Sequence, residues 1–420
     1  GITNFIEGDY FSWYLDELDK ELADVIAAIA RRLSDYEPAT PQLEPEFTRD
    51  LLKRLYQHLV PETIRHDLGE YYTPDWLAEL ILNEVGFTEE HFEKLAEEKN
   101  DITAPFKLRL LDPACGSGTF LILAIKRLRS YAEKHYMLDI VADYILKNII
   151  GYDLNPLAVL TARTNYLLSI ADILSYVRGE KEIPVYLADS ILVETKGGLY
   201  GTFYALRTVV GKFEIPKQIV DKGFLGEFLS LIETCLRNQY KSQEFLELFK
   251  NKIASKLKNN TIDYNAIRKL YETFLQLEQE GKNHVWVSII RNAFAPLLKG
   301  QFDYVVGNPP WVNWENLPET YRNITRSLWD YYGLTLIKGK TGLGKVKRDL
   351  AMLFLARTLH LYLTDGGKHG FLIPLTVFKT QAGAGFRKFL ANGKRSEETE
   401  IKCKVEVVHD LVTVSYTHLT

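Results

Sequence analysis

Three short apolar runs each end in an acid: LRLLD at Asp112, IIGYD at Asp153 and VYLAD at Asp189. The first leads straight into the turn DPACGSGTF, where Gly116 and Gly118 let the backbone approach a bound molecule closely. Asp153 can accept from a ribose diol and Asp189 from an adenine amine, so the three ends in order describe a nucleoside site. Either acid alone could equally cap a helix. A dinucleotide fingerprint is set aside because Phe120 and Leu121 follow Thr119, which leaves out the third glycine of G-x-G-x-x-G and crowds the place of a pyrophosphate.

A second group lies far along the chain. FDYVVGNPPWVNW (Phe302–Trp314) starts like the end of a buried strand and then places a carboxamide, two prolines and an indole in succession. The prolines fix φ at consecutive positions and hold the carbonyls of the turn in place. Asn308 and Pro309 then offer oxygen acceptors, and Trp311 offers a flat apolar face. Such a turn suits an amine on a planar partner, whereas PPW in isolation also fits a proline-rich turn with a core tryptophan.

These residues need strands that end side by side. From about residue 107 the chain alternates short apolar strand, turn and helix, which predicts an α/β fold with a parallel sheet flanked by helices. FDYVVGN, GFLIPL and KVEVVHDL read as later strands, with helices at RDLAMLFLARTLHLYL and AGFRKFL between them. Residues 193–298 break the rhythm with helical periodicity and read as a helical insertion. The division expected is an N-terminal helical region at 1–68, a cofactor-binding half at 69–192, the insertion at 193–298, a catalytic half at 299–413 and a tail at 414–420. Within GEYYTPDWLAELIL, Thr73 is expected to cap a helix with Pro74 in its first position.

Composition excludes several classes. The chain has 420 residues, 46% hydrophobic and 25% charged, an ordinary globular balance. No apolar run reaches the roughly 20 residues of a bilayer span, and no signal-peptide pattern opens the chain. Cys115, Cys235 and Cys403 show neither pairing nor metal-ligand spacing, so a reducing cytoplasm is expected and a structural zinc site is not. The net charge of −4 does not itself suggest nucleic acid, but Lys338–Arg348 carries five basic residues and no acid. Within it GKTGLGKV nearly spells a phosphate loop; Val346 stands where Ser or Thr would hold magnesium, which weakens an ATPase reading.

DPACGSGTF, GYDLNP, ADS and NPPW in this order, preceded by GEYYTP, resemble the amino-methyltransferases that use S-adenosylmethionine. More closely, the set is similar to DNA adenine-N6 methyltransferases of restriction-modification and phage-defence systems, over most of residues 69–412. The resemblance implies a class I methyltransferase sheet of the Rossmann type, mostly parallel with one antiparallel strand. It implies that Thr73, Asp112, Pro113, Ala114, Gly116 and Gly118 hold the methionine part of the cofactor. Asp153 with Leu154 would take the ribose, and Asp189 with Ser190 the adenine amine. Asn308, Pro309, Pro310 and Trp311 would act on a flipped-out adenine of double-stranded DNA. The family usually has Tyr or Phe where this chain has Trp311. TDGGKHGFLIPLTVF further resembles the segment near the family's target-base pocket.

Three other readings follow from the same residues. Methyltransferases of RNA guanine N2 or of protein glutamine also use an Asn-Pro-Pro-aromatic turn, and a DNA-binding subunit without catalysis is a third possibility. GEYYTP ahead of the cofactor strand and the long insertion before NPPW favour DNA. No nuclease arrangement is recognisable, so a nuclease or a specificity domain or subunit is expected outside this chain. Val414–Leu419 spells what GTCTCTTATACACATCT encodes, which resembles a transposon-end adapter, so the tail is expected to be adapter-derived.

Overall fold

A computed structural model describes residues 73–179, 181–192, 203–208, 211–257, 262–279, 299–334, 348–395 and 400–411, with isolated positions at 20, 23–25, 27, 28, 31, 287, 290, 292 and 294–296. Apart from those few positions, the expected helices of 1–68, the basic stretch 338–347 and the tail 414–420 lie outside the described residues.

The central sheet contains β1 (Leu110–Asp112), β2 (Ile149–Asp153), β3 (Val185–Leu187), β6 (Phe302–Gly307) and β7 (Leu363–Phe371). Their order is β3-β2-β1-β6-β7, and every pairing is parallel. β1 thus has β2 on one side and β6 on the other, which opens a crevice beyond its C-terminal end where the order reverses. All three strand-end acids and the NPPW turn emerge at that edge of the sheet.

Helices make the crossovers that parallel pairing requires. α3 (Thr119–Lys134) starts on the glycine turn and buries a continuous apolar side that includes Leu121, Ile125 and Leu128. It sits directly on β2, since a Cβ at Gly151 would lie 2.7 Å from a Leu121 methyl and 3.0 Å from Cys115 Sγ. α4 (Leu138–Asn148) feeds β2, and α5 (Pro156–Ile170) follows it with the Asn155 side chain capping its first turn.

The continuous helical run Pro156–Tyr176 is long and apolar enough to cross a membrane by length and composition, contrary to the expectation that no run reaches that size. Its apolar side packs in the core through Val159, Ala162, Tyr166 and Ile170. Arg163 on the same helix donates to the carbonyl of Val185 at 2.9 Å, which docks the helix on the β3 side of the sheet.

The insertion is not purely helical. It opens with an antiparallel hairpin of β4 (Phe203–Thr208) and β5 (Gly211–Pro216), followed by α6 (Leu225–Arg237), α7 (Ser242–Phe249) and α8 (Tyr264–Gln279). These close a core of their own, in which Phe245 and Tyr271 stack 4.1 Å apart.

Two later strands also differ from expectation. β7 occupies LTDGGKHGF rather than GFLIPL, with a register irregularity opposite Phe302 and Tyr304. Gly370 is there for contact: a Cβ on it would lie 2.6 Å from Val85 and 2.8 Å from Ile81, so the helix α1 (Asp75–Glu84) and the residue after it rest on the strand. KVEVVHDL forms no ladder. It is held by side chains instead, with Lys368 on Glu406 at 2.7 Å and His409 on Glu84 at 2.9 Å, so the main sheet has no antiparallel member among the described residues.

Candidate active site

The cofactor-side turn is tied together by its own acids. The Asp112 carboxyl is 1% exposed, accepts from the Ala114 N–H at 3.2 Å, and is pushed well above the usual carboxylate range by burial, with the neighbouring Asp153 charge adding to the rise. Gly116 and Gly118 have φ of 53° and 89°, the left-handed region that glycine enters without strain. Asp153 bridges two turns, because its Oδ2 accepts from Gly116 N–H and its Oδ1 from Asn155 N–H, both at 2.8 Å. The acid at the end of β2 therefore shapes the glycine turn of β1 while half-exposed itself.

Pro113 and Ser190, both expected at the cofactor, are bonded to each other. The Ser190 hydroxyl is buried and donates to the Pro113 carbonyl at 2.6 Å, which joins the ends of β1 and β3. Asp189 folds back on its own turn, its Oδ1 accepting from Ile191 N–H at 2.8 Å and Leu192 N–H at 3.0 Å. Burial raises the Asp189 pKa, and these hydrogen bonds oppose the rise. Ala114 is half-buried within the same turn, and Cys115 is buried with its thiol pushed well up by desolvation.

A nucleoside-bearing cofactor fits this edge. A Cβ at Gly116 would meet nothing within 4 Å, so there is open space against the turn. Leu154, 61% exposed, offers an apolar side chain beside Asp153. A carboxylate oxygen that accepts one backbone N–H, as each oxygen of Asp153 does, can accept a hydroxyl as well, whereas Asp189 Oδ1 already accepts two N–H groups and leaves an amine to the other oxygen.

Across the crevice, β6 delivers the second group. Leu110 and Leu111 of β1 pair with Tyr304 and Val305 of β6, so the NPPW turn emerges next to the glycine turn. The approach is close: a Cβ at Gly307 would lie 2.7 Å from Asp112 Oδ1. Asn308 donates from Nδ2 to the Thr73 hydroxyl at 3.1 Å. Because the carboxamide is planar, this directs its oxygen to the opposite side. Thr73 does not cap α1 as expected. The helix begins at Asp75 with Pro74 as its cap and no side-chain cap bond, which leaves the buried Thr73 hydroxyl to reach Asn308.

Trp311 is braced at its edge, its Nε1–H donating to the Leu372 carbonyl at 3.3 Å. Leu372 directly follows β7 and its N–H donates to the Gly307 carbonyl at 3.1 Å, so the residue just past the strand lies beside the turn. Pro309 is buried, while Pro310 and Trp311 are half-buried. Downstream, Trp314 N–H donates to the Arg348 carbonyl at 2.7 Å and Leu350 N–H to the Val312 carbonyl at 2.9 Å. Arg348 is 5% exposed, pairs with Glu315 at 3.3 Å, and lies 4.7 Å from the Trp314 ring and 5.6 Å from the Trp329 ring. Cation–π contacts of this kind are worth about 0.5–2 kcal/mol each.

Two family models cover most of the segments that form this edge. The model of the Eco57I restriction-modification methylases matches residues 147–402, and that of the MmeI DNA-methyltransferase domain matches residues 88–185. The chain belongs to the Eco57I restriction-modification methylase family. Within that setting it is similar to the type II restriction enzyme and methyltransferase RM.Eco57I of Escherichia coli, 24% identical over 91% of this chain and 32% of that protein. The type II methyltransferases M.HincII and M.HindII of Haemophilus influenzae are each 29% identical over 38% of this chain, covering 31% and 30% of their own lengths. The chain spans about a third of the length of these relatives. Gly307, Arg348 and the brace at Leu372 are the parts of this family member's site that sequence reasoning missed.

Proposed function

We propose that this chain transfers a methyl group from S-adenosylmethionine to the exocyclic N6 amine of an adenine extruded from double-stranded DNA, within a restriction-modification or phage-defence enzyme. The observation that carries the reading is the Asn308 carboxamide, fixed by Thr73 next to the glycine turn at the end of β1. When bound, the cofactor supplies an electrophilic methyl on a sulfonium. Asp153 and Leu154 take its ribose, Asp189 its adenine amine, and the turn from Asp112 to Gly118 its methionine part.

The residues of the other strand act on the target. The adenine amine is a weak nucleophile because its lone pair is delocalised into the ring. The Asn308 side-chain oxygen and the Pro309 carbonyl accept its two hydrogens, which favours a pyramidal nitrogen and stabilises the positive charge that develops on attack. The proline pair keeps both acceptors aimed without reorganisation. Trp311 stacks on the extruded ring and returns about 1–3 kcal/mol toward the few kcal/mol lost on leaving the duplex. The proton of the methylated nitrogen passes to water, since Asn308 is an acceptor and not a base.

The test is a transfer assay with isotopically labelled S-adenosylmethionine that offers duplex DNA, RNA and protein in turn, followed by nucleoside and amino-acid analysis. Label in N6-methyl-2′-deoxyadenosine of DNA is expected. Label in N2-methylguanosine of RNA or in protein glutamine overturns the substrate assignment. Asp153→Ala is expected to weaken S-adenosylmethionine binding by about 10- to 100-fold, from the loss of a bond to a charged acceptor and of the tie to Gly116; unchanged affinity by calorimetry counts against the ribose role. Trp311→Phe is expected to retain most of the transfer rate. Trp311→Ala is expected to lower it by about 5- to 100-fold through lost stacking, and comparable rates for the two variants would remove Trp311 from the target side.

A further inference from the structure

The exit of the NPPW turn is one edge of a short antiparallel ribbon. Trp314 N–H donates to the Arg348 carbonyl at 2.7 Å and Leu350 N–H to the Val312 carbonyl at 2.9 Å, and these two bonds frame the opposed pair Asn313 and Asp349. Residues framed in this way are the non-hydrogen-bonded pair of an antiparallel ladder, whose side chains leave one face close together. Burial separates the two faces. Val312, Trp314, Arg348 and Leu350 are buried, whereas Trp311, Asn313 and Asp349 are half-buried. The ribbon therefore turns one face into the core around Trp314 and presents Trp311, Asn313 and Asp349 together on the other.

The polar groups on that face are not used up by the fold. Asp349 caps the helix Leu350–Tyr362 through one oxygen, Oδ1, which accepts from Ala351 N–H at 2.9 Å. Its other oxygen and the Asn313 carboxamide have no hydrogen-bond partner among the described residues. Burial pushes the Asp349 pKa up to about 6, so water only partly reaches this face. A carboxyl here repels phosphate and keeps the DNA backbone away. A flat indole, a carboxamide and a carboxyl suit the uncharged edge of a base instead. Asn313 stands two residues past Trp311, about 7 Å along an extended chain, within side-chain reach of a ring stacked on the indole.

We propose, on the reading that Asn308 and Pro309 receive the two hydrogens of the target amine and Trp311 stacks on its ring, that Asn313 donates from Nδ2 to a ring nitrogen beside that amine, N1 or N7. With both amine hydrogens taken by the turn, these two nitrogens are the acceptors on either side of C6, and Asn313 is the donor that the face of Trp311 presents. Asn308 holds the atom to be methylated, and Asn313 reads the ring that carries it. Asn313 is a specificity-determining residue of the target pocket.

Single-turnover transfer by the full chain tests this on duplex DNA of mixed sequence whose adenines are ordinary, 7-deazaadenine or 1-deazaadenine; each analogue puts C–H in place of one ring nitrogen. Asn313→Leu keeps the size of the side chain and the backbone bonds of the ribbon and removes the donor. It is expected to slow transfer to ordinary adenine by about 2- to 10-fold, the worth of one net hydrogen bond. It is also expected to abolish the bond's share, about 2- to 10-fold, of the penalty that one of the two analogues imposes on the wild type, and to leave the penalty of the other unchanged. Comparing DNAs within one preparation cancels the folded fraction, and any use of N7 in sequence recognition is common to both proteins. S-adenosylhomocysteine affinity by calorimetry is expected to match the wild type, and a proportionate loss makes Asn313 a structural residue and overturns the proposal. Equal penalties in variant and wild type for both analogues overturn the Asn313 assignment alone, whereas no transfer by the wild type to any of the three DNAs overturns the target reading with it.

Discussion

Asn308→Ala is expected to lower the methyl-transfer rate by about 10²–10³-fold, the loss that follows removal of one preorganised polar group from a transition-state site. The variant loses the acceptor for one amine hydrogen at the moment positive charge develops. It also strands the buried Thr73 hydroxyl, which receives the Asn308 Nδ2–H at 3.1 Å. Cofactor affinity is expected to stay near that of the wild type, since the glycine turn, Asp153 and Asp189 make their own hydrogen bonds without Asn308. Single-turnover transfer and calorimetry on the same preparation separate the two effects. A variant that methylates at the wild-type rate removes Asn308 from the chemistry; one that loses cofactor affinity in proportion makes it a structural residue of the pocket.

The second large effect is expected at Arg348. Its side chain is 6% exposed and its partner Glu315 is 26% exposed. Arg348→Ala leaves Glu315 without that cation and opens a gap between the Trp314 and Trp329 rings. About 3 kcal/mol of stability is expected to go, the low end for breaking a buried ion pair, because water reaches part of Glu315. The same change loosens the short antiparallel contact between Asn313 and Asp349 that holds the exit of the NPPW turn. A lowered urea midpoint with a reduced transfer rate is expected, and Arg348→Lys should fall between the two because it restores charge but not the flat guanidinium face. An unchanged midpoint would show that the cluster packs without the pair.

Four of the five sheet strands were legible because their apolar runs end in an acid or a glycine turn, which is where a parallel sheet must stop. β7 was not, because its Asp365, Gly366, Gly367 and Lys368 look like a loop and the strand is fixed by its ladder with β6, and by Gly370 against α1, rather than by its own composition. KVEVVHDL alternates as a strand should, yet alternation only offers a ladder; without a hydrogen-bonded neighbour Val405, Val407 and Val408 stay about half-exposed. The hairpin within the insertion was hidden by the helical periodicity that follows it.

In the site, residue types were readable and their pairings were not. Asp153 reads as a ligand acid, and the structure adds that it builds the turn of another strand. Thr73, placed at the helix start by local spacing, is claimed instead by Asn308. Arg348 stands out in the sequence only as the end of a basic run, because its partner Glu315 lies on another element.

The bond between Thr73 and Asn308 joins residues 235 positions apart. At a synthesis rate of about 5–20 residues per second, Asn308 leaves the ribosome roughly 12–47 s after Thr73. Through that interval α1 has no β7 to rest on, and its buried Ala78, Ile81 and Leu82 lack one wall of their core. The first helix of the described fold is thus among the last to find its place, and a nascent chain arrested before β7 would present that helix to chaperones and proteases.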